Sequence, residues 1–87
     1  MKLIEVRAIN QNQVELTDEN NNLYIFDMSY FQALPGEWAQ ELNDYSYFKQ
    51  VRLSPEWETI EWPHHQDVAP HDIDEFAVLV EDRKQLN

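Results

Sequence analysis

Leu23-Tyr24-Ile25-Phe26 is the stretch on which the reading of this chain turns. Apolar and aromatic side chains occupy both alternating sets of positions, so an extended segment here needs cover on both faces and belongs inside a sheet. Toward the N-terminus, Asp18-Glu19-Asn20-Asn21-Asn22 supplies residues that tolerate tight turns. Residues 13–17 alternate Val14 and Leu16 with Gln13, Glu15 and Thr17. Before the turn formers Asn10-Gln11-Asn12, residues 3–9 interleave apolar side chains with Glu5 and Arg7. The pattern predicts a three-stranded antiparallel meander whose first two strands have one wet face.

Toward the C-terminus the period changes. Asp27 or Ser29 offers a side-chain oxygen to free backbone amides, and Met28, Phe31, Gln32 and Leu34 fall near helical spacing until Pro35-Gly36 stops the turn. Residues 37–42 put Trp38 and Leu42 on one helical face, and Asn43-Asp44 starts another short helix carrying Tyr45, Phe48 and Lys49. Residues 51–53 and 59–62 flank a Ser54-Pro55-Glu56 turn and read as a β-hairpin added to the sheet. Pro63 ends that hairpin. Pro70 opens a C-terminal helix with an apolar stripe of Ile73, Phe76, Ala77 and Val80, and the tail Arg83-Lys84-Gln85-Leu86-Asn87 is expected to fray. The fold class is α+β: an antiparallel three-stranded meander, short helices, a β-hairpin and a C-terminal helix, in one domain over residues 1–87.

Composition narrows the function classes. A chain of 87 residues supports one core. Hydrophobic residues at 43% and aromatics at 13% separate it from disordered acidic segments. With 17 acidic against 6 basic residues the net charge is -11, which repels phosphate backbones and anionic lipids and favours a basic protein partner. Neither direct nucleic-acid binding nor membrane binding is expected. No cysteine is present, so disulfides and thiolate metal sites are excluded. The N-terminus becomes charged at once, unlike a signal peptide, and a cytoplasmic location is expected.

His64, His65, Asp67 and His71 form the one polar cluster rich in metal-ligand types, but the adjacent histidines match no metal motif and read as a solvated loop. Carboxylate neighbours such as Glu58 and Glu61, or Asp72 and Glu75, are expected by chance among so many acids. Ser29, Ser46 and Ser54 lack an elbow motif, and the single glycine, Gly36, cannot build a glycine-rich phosphate loop. Most aromatics read as core, with Trp57 or Tyr47 as exposed anchors for a partner. Residues 56–82 hold nine acids and no Lys or Arg, an electrostatic docking face for a basic protein.

The ordered elements Leu23-Tyr24-Ile25-Phe26-Asp27-Met28-Ser29, Leu42-Asn43-Asp44 leading into Tyr47-Phe48-Lys49-Gln50-Val51-Arg52, and Thr59-Ile60-Glu61-Trp62-Pro63 with Asp67-Val68-Ala69-Pro70 resemble the bacterial family named domain of unknown function 2442. The resemblance runs from about Leu3 to Phe76. It implies a small α+β fold without an established enzymatic activity, often encoded beside another small protein in arrangements like toxin and antitoxin pairs. Some relatives carry an added helix-turn-helix domain, for which residues 77–87 leave no room. Where the family commonly has an Asn-Gly-like turn after Trp-Pro, this chain has His64-His65. Trp62, Pro63 and Asp67 carry over as structural positions, Asp67 as a helix cap and Trp62 as a core or rim aromatic.

The expected function is a non-enzymatic protein-interaction module, the acidic partner in a toxin-antitoxin-like pair, without a cofactor. Trp57, Glu58, Glu61, Trp62 and Asp67 are the expected partner-binding residues. The alternatives are a metal-binding protein or enzyme using the His64/His65/His71 loop, and a structural subunit that forms homo-oligomers through a sheet edge.

Overall fold

A computed structural model describes residues 1–82. The alternation read in the first third forms β1 (Leu3–Ala8), β2 (Gln13–Asp18) and β3 (Asn22–Asp27), paired antiparallel as a meander. Val14 lies opposite Phe26 and Leu16 opposite Tyr24, so the core face of the sheet is set by this register. The β2–β3 turn is held by Asp18, whose carboxylate accepts the backbone N–H groups of Asn20 and Asn22, the Asn22 amide and the Tyr24 hydroxyl. Asn21 takes a left-handed φ of 66° there, as asparagine tolerates.

Three short helices follow, α1 (Ser29–Gln32), α2 (Glu37–Leu42) and α3 (Tyr45–Phe48). Gly36, at φ 106°, makes the break before α2 that Pro35-Gly36 announced. Asp44 caps α3 by accepting the Ser46 N–H at 3.1 Å. On α2 it is Ala39 and Leu42 that are buried; Trp38 is partly exposed. The core joins Leu3, Val14, Leu16, Phe26, Met28, Leu42, Phe48, Ile60, Trp62, Val68 and Ile73.

Two expectations need correction. The hairpin of β4 (Arg52–Leu53) and β5 (Ile60–Glu61) forms its own two-stranded sheet and does not extend the meander. It is tied to β1 where the Leu3 N–H donates to the Trp57 carbonyl at 2.7 Å, beside a bulge between Leu3 and Glu5. The helix opened by Pro70, α4 (Pro70–Phe76), stops at Phe76 because Ala77 is extended (φ -67°, ψ 130°). Val80 is therefore not on a helix. Residues Val78–Asp82 form β6, which pairs antiparallel with β3 and completes a four-stranded sheet in the order β1-β2-β3-β6. The expectation for residues 83–87 lies outside the described residues.

Candidate functional site

The exit from β3 into α1 creates one wall of an open cleft of about 700 Å³. The Met28 N–H donates to the Asn12 carbonyl at 2.7 Å, and the Asp27 carboxylate accepts the Ser29 N–H at 2.7 Å, which fixes both the turn and the acid at its rim. Phe26 stacks on Phe31 at 6.2 Å between ring centres, and Tyr30 meets Phe31 edge-on at 5.4 Å. Asp72 and Phe76 of α4 form the facing wall. Tyr30 is 72% exposed and Phe76 59%, unusual for aromatic side chains with no described cover.

Hydrogen bonding to Ser29, through its side chain first and its backbone second, outweighs slight desolvation and holds the exposed Asp27 carboxyl below the usual carboxylate range. Asp27 is anionic at neutral pH. Asp72 has the exposed His71 imidazole at 3.3 Å. No described Lys or Arg lines the cleft: Arg7 pairs with Glu15, Arg52 with Glu61, Lys49 lies over the Tyr45 ring, and Lys2 lines a separate cleft. The arrangement can take up an apolar group and hold a cation beside it.

The cleft adjoins the start of β6. Val78, Leu79 and Val80 are 64%, 52% and 61% exposed, and β6 is the terminal strand of its sheet. The opposite edge strand, β1, differs: it alternates with the charged residues Glu5 and Arg7 and is tied to the hairpin at Leu3.

The five residues predicted as partner-binding do not form one surface. Trp57 and Glu58 are exposed at the hairpin tip, where Trp57 has a left-handed φ of 64° and Glu58 lines a smaller cleft of about 400 Å³ with Met1, Lys2, Glu56, Pro70 and Asp74. Glu61 is half-buried, paired with Arg52 at 2.9 Å, and lies across a β-bridge from the exposed Asp67. Trp62 is wholly buried; its indole N–H donates to the Phe48 carbonyl at 2.7 Å, so its ring is core and has no outer face to offer. Asp67 is not the cap of α4, because Ala69 holds that position with no side-chain hydrogen bond.

Tyr47, read as an exposed anchor, is buried as well. Its hydroxyl donates to Gln66 Oε1 at 2.6 Å and accepts the His64 N–H at 2.8 Å. Gln66 in turn donates to Glu41 Oε1 at 2.7 Å, and Glu41 Oε2 meets His64 Nδ1 at 2.6 Å. The His64 ring stacks on Tyr47 at 5.1 Å. His65 sits at φ 74°, a conformation suited to the Asn-Gly-like turn expected at this place. Among the described residues no three His, Asp or Glu side chains are grouped so as to hold a metal ion.

Sequence reasoning missed the cleft because it assigned Asp27 to capping and Phe76 to a helix stripe, and did not bring the two together. The available signal was the run Val78-Leu79-Val80, whose two β-branched valines favour a strand. The family model described as Protein of unknown function (DUF2442) matches residues 3–76, which takes in every element from β1 to α4 and ends where β6 is about to begin. No curated protein and no solved structure matches the chain.

Proposed function

The chain belongs to the DUF2442 family, and from that premise we propose that it works as a non-enzymatic protein-interaction module. In this reading it is the acidic member of a two-protein pair, of the toxin-antitoxin-like kind the family resemblance implies, acting in the bacterial cytoplasm. The observation that carries the proposal is the net charge of -11 on a folded chain that leaves an aromatic cleft with two carboxylates open. Charge of this sign and size raises the encounter rate with a basic protein, and an apolar cleft supplies the short-range contact that steering alone lacks. None of the helices among the described residues is long and apolar enough to cross a membrane.

The test is capture from native lysate on the immobilised protein at low and then physiological salt, with a charge-matched acidic protein as control. One basic protein retained specifically, and then reconstituted from purified components at a fixed stoichiometry, supports the reading. Retention equal to that of the control, or none, removes it.

A further inference from the structure

The cleft and the free edge of β6 adjoin, and together they specify more than an acidic surface. Phe76 lines the cleft and Val78 opens the strand two residues later. The terminal strand carries three exposed apolar side chains before Glu81 and Asp82, and although a bulge at Val80 interrupts its register with β3, its outer edge at Val78 and Leu79 carries no charge to keep another chain from pairing there. Beside it lie two carboxylates and three aromatic rings other than Phe26, with no described cation among them. A second copy of this chain is a poor occupant, since each copy carries a charge of -11.

We infer that this surface binds an extended basic segment of a partner protein, which pairs with β6 as a fifth strand and lays an arginine or lysine side chain into the cleft against Asp27 and Asp72. The inference rests on the interaction-module reading and assigns it a place and a ligand chemistry. Backbone pairing supplies affinity that does not depend on the partner's sequence, whereas the cleft selects it. The side chain's aliphatic stem lies along Tyr30, Phe31 and Phe76, and its charged head reaches the two acids.

A peptide of alternating valine and arginine serves as the probe, followed by amide NMR of the whole chain. Controls are the same peptide with glutamate for arginine, and one N-methylated at alternate peptide bonds so that it cannot pair as a strand. The expected result is that amide signals of Val78, Leu79 and Val80 and ring signals of Tyr30 and Phe76 move with the arginine peptide only. Asp27→Asn and Asp72→Asn each weaken binding roughly tenfold. Val78→Lys with Val80→Lys, at positions already exposed, abolishes it while thermal unfolding stays near wild type.

Shifts confined to the hairpin tip around Trp57, equal binding of the N-methylated peptide, or no binding overturn the inference. So does a dimer in sedimentation whose formation β6 lysines abolish, since the surface then belongs to a second copy. If a reconstituted basic partner binds all four substitutions as well as wild type, the location is wrong and the interaction-module reading stands.

Discussion

The hydroxyl of Tyr47 on α3 donates to the side-chain carbonyl of Gln66 at 2.6 Å, joining the helical layer to the loop after β5 inside the protein. Gln66 is only 2% exposed, and its amide also reaches Glu41 of α2, so one buried side chain ties together three segments. Gln66→Leu leaves the Tyr47 hydroxyl without its acceptor and Glu41 Oε1 without its donor. It is expected to cost about 2–3 kcal/mol, against about 1–2 for Tyr47→Phe. Urea unfolding of both single variants and the double should show the two costs to be non-additive, because they break the same bond. Additive losses would mean that the two groups act independently.

Asp18 sets an acid limit on stability. Burial by itself would raise its pKa, but the hydrogen bonds from Asn22, Tyr24 and Asn20 together outweigh burial and hold the carboxyl below its ordinary value. A carboxylate depressed on folding adds stability that is full above its unfolded value, about 3.9, and is lost as pH falls through the folded value. Urea midpoints should therefore decline below about pH 4 in the wild type. In Asp18→Asn the decline should be shallower, from a starting stability lower by about 1–2 kcal/mol. An unchanged pH profile would remove Asp18 from the account.

His65 is exposed and left-handed, so its side chain contributes strain without burial. A non-glycine residue in this region costs about 1–2 kcal/mol, from which glycine's greater freedom in the unfolded chain takes back about 0.5–1. His65→Gly should stabilise the protein by about 0.5–1 kcal/mol, read as a higher melting temperature. A lower melting temperature would show that the imidazole makes a contact of value at this turn.

Trp57 and Trp62 should be separable by fluorescence. Trp57 is 48% exposed and Trp62 wholly buried. Trp57→Phe should remove emission that iodide quenches and leave stability nearly unchanged. Trp62→Phe should remove the blue, protected emission and destabilise by about 2–3 kcal/mol through the lost indole hydrogen bond and the void left behind. Iodide quenching that survives Trp57→Phe is assigned to Trp38, at 38% exposure.

The meander could be read from the chain because Val14, Leu16 and Phe26 share one face, and alternation is what a one-sided strand requires. The short helices were legible from their stops, Pro35-Gly36 and Asn43-Asp44, which act locally. The fate of residues 78–82 was not. Ile73, Phe76 and Val80 fit a helical spacing, and only the vacant edge of β3, far off in sequence, makes the strand the better use of that run. That the hairpin forms its own sheet and meets β1 through the Leu3–Trp57 backbone bond rests on contacts distant in sequence, which no local pattern contains. Likewise nothing in composition distinguishes Gln66, which is buried, from Gln40 or Gln50, which are exposed. The cleft follows from two such long-range facts at once, the turn at Asp27 and the end of α4 at Phe76, and so was the least visible feature of all.

The pairing of β6 with β3 also gives the protein a history. On the ribosome, β1, β2 and β3 emerge first and can pair at once, but the strand that covers β3 is made only after α1 to α4. At about 5–20 residues per second, the stretch between Asp27 and Val78 takes about 3–10 s to synthesise. For that interval the nascent chain carries an unfinished sheet, with Leu23, Tyr24 and Ile25 at an uncovered margin. The last strand of the sheet to be made is thus also its edge, and until it arrives β3 holds that exposed place.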